Sequence, residues 1–214
     1  MAIKHFVQRG QWPCQCEEKD HLESRSIVLT GGPSAGKTYV FDTAKSIFCR
    51  HVVFIPEAAT IVYNQGTQKG YDVESTKKVQ QLIFSAQRKL EEAAHEMDKA
   101  KLFVYDRCVI DGLAYWPDTE SSFWVENGGG DKQDEFDKFA LVLHMSTPKS
   151  LDEYSLETNS TRTESLEDAE KIDKRIYQVW AGHPNRIHIE PVANFTKKVD
   201  KAIGLMRNFL QNSE

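Results

Sequence analysis

Cysteine is scarce: four residues in 214, at positions 14, 16, 49 and 108, with only the first two close together. That excludes the dense disulfide framework of a small secreted domain and fits a reducing compartment. Long apolar runs are missing too. No stretch approaches the length of a membrane-spanning helix, and Met1–Trp12 lacks the apolar segment of a signal peptide, so a cytoplasmic location is expected. Nor is there a block of Lys and Arg to track a phosphate backbone. With 32 acidic against 27 basic residues the formal charge is −5, which argues against general nucleic-acid binding while leaving a local site open. Internal repeats are absent, and oligomeric state is left open. Residues 25–214 read as a single domain with room for a sizeable core, preceded by an extension, 1–24, of unknown purpose. Cys14 and Cys16, near His5 and His21, have neither the spacing nor the second pair of a structural zinc site, and read as free thiols.

What is present is more specific. Gly31, Gly32, Pro33, Ser34, Ala35, Gly36, Lys37 and Thr38 spell G-x-x-x-x-G-K-[ST], a phosphate-binding P-loop. Ile27–Leu29 before it is an apolar strand, and the apolar positions 40, 41, 44, 47 and 48 after it have helical spacing. Glycines let the backbone wrap an anion, and the following helix offers its free N–H groups and dipole. Lys37 would reach the β- and γ-phosphates and Thr38 would ligate Mg²⁺. The chain is expected to bind a nucleoside triphosphate.

Strand and helix then alternate. Val52–Ile55 is a second strand, ended by Pro56 and followed by Glu57; a helix is striped from Val79 to Met97; Leu102–Tyr105 is a third strand, closed by Asp106 and Arg107. Pro117–Lys138 reads as a long surface loop, Ala140–His144 as a fourth strand, and Thr147–Ser165 as a polar segment. Ala169, Ile172, Ile176, Val179 and Trp180 stripe another helix, Arg186–Ile189 is a fifth strand, and Val199 to Leu210 stripe the last helix. The fold class is therefore α/β, a parallel five-stranded sheet with helices on both faces, whose ligands sit beyond the carboxyl ends of the strands.

Asp106 stands where a P-loop enzyme places its second Mg²⁺-supporting carboxylate, and Arg107 can offer a fork of donors to a phosphoryl oxygen. Glu57, at the neighbouring strand end, suits a general base or a clamp on a substrate hydroxyl. Asp111 reads equally as a helix N-cap or a catalytic group. Gln87, Arg88 and Glu91 share one helix side, as acceptor lining or as helix-spaced charge pairs. His183 reads as a helix-end residue and Trp180 as core. Trp116, Phe123 and Trp124 flank the long loop, either packed or exposed for a base or a partner.

The runs IVLTGGPSAGKT, IPEAAT from Ile55 and VYDRCVIDGLAYWP from Val104 resemble the P-loop AAA/kinase-like domains grouped with nicotinamide-riboside kinase and related GTP-binding regulatory proteins. The likeness continues through Tyr154, Arg162-Thr163-Glu164 and Trp180-Ala181-Gly182-His183-Pro184, covering about Ser26–Leu210. It implies a kinase-type sheet of order 2-3-1-4-5, NTP and Mg²⁺ at Gly31–Thr38 and Asp106, an acceptor pocket near Glu57 and Arg107, and a mobile lid, about 147–165, bearing Arg162. In deoxynucleoside kinases, which the resemblance also reaches, a glutamate at the place of Glu57 removes the acceptor proton. Full NAD-regulator proteins add an adenylyltransferase and a DNA-binding domain, for which 214 residues leave no room.

Together these point to a Mg²⁺-dependent small-molecule kinase. It would move the γ-phosphoryl group of ATP to a hydroxyl of a nucleoside-like or other metabolite. Lys37 and Arg162 would stabilise transferring charge, Thr38 and Asp106 would hold Mg²⁺, and Glu57 would prepare the nucleophile. The competing class is a nucleotide-controlled binding module. No N/T-K-x-D segment of the sort that reads guanine is present, which favours ATP over GTP.

Overall fold

The computed structural model describes residues 24–96, 100–148, 165–191 and 194–211. Cys14, Cys16, Tyr154, Arg162 and nearly all of the expected lid lie outside them. Five strands form one parallel sheet: β1 (Arg25–Thr30), β2 (Val52–Ile55), β3 (Leu102–Asp106), β4 (Leu141–Met145) and β5 (Arg186–Ile189), in the order β2-β3-β1-β4-β5. This is the kinase-type order. The helices are α1 (Lys37–Ile47), α2 (Ala58–Asn64), α3 (Val73–His95), α4 (Glu120–Glu126), α5 (Lys132–Phe136), α6 (Leu166–Val179) and α7 (Phe195–Gln211), with a 3₁₀ turn at Val109–Ala114. No described helix is long and apolar enough to cross a membrane.

Because side chains alternate along a strand, the sheet divides the core in two. Ile27 and Leu29 of β1 join Val104, Leu143, Val40, Phe41, Val199 and Met206 on the face covered by α1 and α7. Val28 joins Phe103, Tyr105, Val142, Ile176 and Trp180 on the other, under α6 and the 3₁₀ turn. β3 and β4 are buried along their whole length and β1 from Ser26 on, as parallel strands covered on both faces must be. The longest helix, α3, starts on a reciprocal cap: Asp72 accepts from Ser75 N at 2.7 Å while Ser75 Oγ accepts from Asp72 N at 3.1 Å.

One expectation changes, and several readings left open are decided. The segment 117–138 is not a loop but holds α4 and α5, capped by Thr119 and Asp131. Trp116, Phe123 and Trp124 are not exposed; they pack with Phe84 and Val109 as a separate apolar cluster, each at most 6% exposed. Arg88 spends its guanidinium on Glu135, by two bonds of 3.0 and 2.5 Å, and on Glu91 at 3.0 Å, so this side of α3 ties α5 down. His183 is buried, its Nε2 2.9 Å from Phe139 O and its Nδ1 accepting from Asn185 N at 3.2 Å, which fixes the turn before β5. Trp180 is fully buried, stacked at 5.4 Å on Phe136.

Leu143, fully buried on β4 and part of the core under α1 and α7, is the test of that packing. Leu143→Ala should lower unfolding stability by about 2–5 kcal/mol in denaturant titration, as large-to-small core changes do.

Candidate functional site

β1 is the middle strand, so the chain that leaves its carboxyl end lies over the centre of the sheet. Gly31 turns there with φ 123°, and any Cβ would collide with the Met145 carbonyl oxygen, so only glycine fits. Ser34 (φ 59°) and Gly36 (φ 87°) are also left-handed, the backbone alternation that curls N–H groups into an anion-binding concavity. Gly36 is the N-cap of α1 and no side chain caps that helix start, which leaves its orphan amides to an anion. Lys37 is buried and its Nζ donates to the carbonyls of Gly31 at 2.9 Å and Gly32 at 2.7 Å. Thr38 lies exposed on the first turn of α1.

Next to β1, the end of β3 supplies Asp106 and Arg107. Asp106 is 3% exposed, and its Oδ1 has no hydrogen-bond partner. Arg107 holds a left-handed φ of 67°, rare for a side chain of this size, and its amide donates to Leu29 O at 3.0 Å. That turn drives its guanidinium to Glu57: Nε lies 2.8 Å from Oε1, and a terminal nitrogen lies 3.8 Å from Asp111 Oδ2. Glu57, the N-cap residue of α2, accepts from Thr60 Oγ1 at 2.5 Å through its other oxygen. Asp111 is neither an N-cap nor surface. Its Oδ1 accepts from Thr30 Oγ1 at 2.5 Å and from Trp180 Nε1 at 2.8 Å, so it fixes the residue just before the loop. Four expected residues, Lys37, Glu57, Asp106 and Arg107, thus meet in one place, joined by Asp111; Arg162 lies outside the described residues.

Burial sets the protonation here. Desolvation, then the nearby Arg107, lower the Lys37 pKa to about 7. Desolvation, then Glu57, raise Asp106 to about 7. Burial alone would raise Glu57, but Arg107 and Lys37 outweigh it and hold the carboxyl below its ordinary value, so it is ionised at neutral pH. Burial disfavours the Arg107 charge, yet Tyr115, Glu57, Asp111 and Asp106 push its pKa up. The buried, orphaned Asp106 oxygen is a hard donor that fits Mg²⁺ carried by phosphate oxygens and water.

Two further contacts were not expected. Thr147, assigned from sequence to a polar segment away from the core, is buried, and its Oγ1 donates to Pro33 O at 2.8 Å. Asp173 of α6 accepts from Gly32 N at 2.6 Å. Its signal was a lone charge in the stripe Ala169, Asp173, Ile176, Trp180, on the face α6 turns inward.

A family model described as an AAA domain matches residues 26–198, and the chain belongs to that family. No curated protein matches the sequence. P-loop domains of this type bind nucleotide with Mg²⁺ and act in hydrolysis or phosphoryl transfer.

The paired shifts of Lys37 and Asp106 give a signed expectation. Phosphate favours charged Lys37 and Mg²⁺ favours ionised Asp106. Below about pH 7 both groups carry a proton, so binding Mg²⁺·ATP should release one from Asp106; above it both are deprotonated, so binding should take one up at Lys37. Calorimetry in buffers of different ionisation enthalpy should show net release turning to net uptake near neutrality. In Asp106→Asn the release arm should vanish.

Proposed function

We propose that the chain is a small-molecule kinase that transfers the γ-phosphoryl group of ATP to a hydroxyl of a nucleoside-like metabolite, in keeping with the likeness to nicotinamide-riboside kinase. The observation that carries this reading is the Glu57–Arg107 pair, 2.8 Å apart beside Lys37 and Asp106. A switch needs the loop, a metal-supporting carboxylate and water. An ionised glutamate held at a neighbouring strand end by a buried arginine serves a second substrate.

In this mechanism the curled loop and the start of α1 hold the β- and γ-phosphates by backbone N–H groups, and Lys37 neutralises their charge. Thr38 and Asp106 would hold Mg²⁺, whose charge would offset that of the phosphates. Glu57 accepts a hydrogen bond from the acceptor hydroxyl, orients its oxygen toward the γ-phosphorus and takes the proton as the new P–O bond forms; ADP leaves with the electrons of the old one. Its lowered pKa suits this, since a loose transfer state asks for orientation more than basicity. Arg107 keeps Glu57 in place, with its turn fixed by the bond to Leu29 O. Arg162 is proposed to reach the transferring phosphoryl from the polar segment before α6.

The test is ATP consumption against a metabolite panel led by nucleosides, with the product identified by mass spectrometry. An acceptor should accelerate consumption, and Glu57→Gln should cut that rate by about 10²- to 10⁴-fold while sparing Mg²⁺·ATP affinity. If no acceptor accelerates consumption, and Glu57→Gln leaves background hydrolysis unchanged, the nucleotide-controlled binding module is the better description.

A further inference from the structure

Asp173 places a negative charge against a loop built for anions, which by electrostatics alone opposes triphosphate binding. Its pKa is lowered, although burial works the other way, because His144, Gly32 N and Thr147 N all favour the charged form. One oxygen, Oδ1, accepts from Gly32 N at 2.6 Å and lies 3.0 Å from His144 Nε2; the other, Oδ2, accepts from Thr147 N at 3.2 Å. An ionised carboxylate only accepts, so the fully buried His144 presents its Nε2 hydrogen there. Thr147 closes the circuit by donating from Oγ1 to Pro33 O at 2.8 Å. Gly32 leaves no slack: a Cβ would stand 2.6 Å from the Asp173 Cβ and would overlap the Thr147 hydroxyl. One carboxylate thus joins α6, the end of β4 and the second residue of the phosphate loop.

From this geometry we propose that Asp173 is a positioning residue for the triphosphate: it fixes the phosphate loop in its binding shape, and that order is worth more than its like charge costs. The inference rests on the nucleotide-binding reading above. A loop already ordered loses less freedom when ligand arrives, and the saving appears as affinity. Asn in the same place offers one acceptor and an NH₂ group, so it cannot accept from both Gly32 N–H and Thr147 N–H; one donor then faces another.

Charge and positioning predict opposite signs. Removing a carboxylate near the phosphates should tighten binding if charge rules, whereas loss of the tether should weaken it. The experiment measures Kd for Mg²⁺·ATP and for Mg²⁺·tripolyphosphate by calorimetry, with Tm and Gly32 amide exchange, in wild type, Asp173→Asn and Glu170→Gln. Glu170 is on the same helix and paired with Lys174 at 3.8 Å, so its variant removes equal charge without touching the loop. We expect Asp173→Asn to bind both ligands about tenfold more weakly, with faster Gly32 exchange and a folded protein, and Glu170→Gln to match wild type. Equal or tighter binding by folded Asp173→Asn overturns the inference and leaves the nucleotide reading intact. Should Asp173→Asn fail to fold, Thr147→Ser and Thr147→Ala carry the same test: the serine hydroxyl should keep wild-type affinity and the alanine should lose it, and equal affinity in both overturns the tether. Failure of wild type to bind either ligand removes both readings together.

Discussion

Four ionisable side chains, Lys37, Asp106, Arg107 and Asp111, are buried at the carboxyl edge of a parallel sheet beside the partly exposed Glu57, and the attraction within the group must offset the cost of drying it. It does so incompletely. Lys37 and Asp106, both pulled toward about 7, show that each would be more comfortable neutral. Glu57 and Arg107 settle each other's charge, with Arg107 reaching the pair from a left-handed turn pinned to β1. Such a group is poor as a stabilising device. It is what a site requires when its missing charges arrive with a ligand, since phosphates relieve Lys37 and a divalent cation relieves Asp106.

The surrounding fold exists to hold this edge still. β1, flanked by β3 and β4, fixes the loop's origin; Asp111 ties Thr30, at its end, to Trp180 beyond α6; Asp173 and Thr147 fasten Gly32 and Pro33 of the loop from the other side. Many of the buried polar residues of the described chain, Thr30, Lys37, Asp106, Arg107, Asp111, His144 and Thr147 among them, gather where the sheet ends and the loop begins, while others such as His51, Glu135 and His183 lie elsewhere. Hydrogen bonds of this kind contribute little net stability, but each is costly to break once buried. The site borrows its rigidity from two apolar layers that pack independently on either side of the sheet.

Legibility in the sequence followed the range of the interactions. The loop, β1, β5 and the strand-end positions of Glu57, Asp106 and Arg107 were readable because each depends on residues within a few places of itself. The strand order came from the family resemblance, since nothing local dictates which strands are neighbours. Asp111 was ambiguous for the same reason: its partners Thr30 and Trp180 lie 81 and 69 residues away. The stretch 117–138 misled because α4 and α5 are short and their capping residues, Thr119 and Asp131, also mark turns, with Gly128–Gly130 between them. Asp173 stood in plain view as a charge on an apolar stripe, but its meaning required Gly32, 141 residues before it.

The central claim is that Gly31–Thr38 binds a triphosphate through Lys37, and calorimetry of Mg²⁺·ATP with Lys37→Ala tests it most directly. Burial lowers the Lys37 pKa, but its Nζ also donates to the carbonyls of Gly31 and Gly32, so the melting temperature of the variant is measured alongside to establish that it is folded. A folded Lys37→Ala protein that has lost most Mg²⁺·ATP affinity is the expected result. Undiminished affinity in that folded variant would contradict the assignment of the loop.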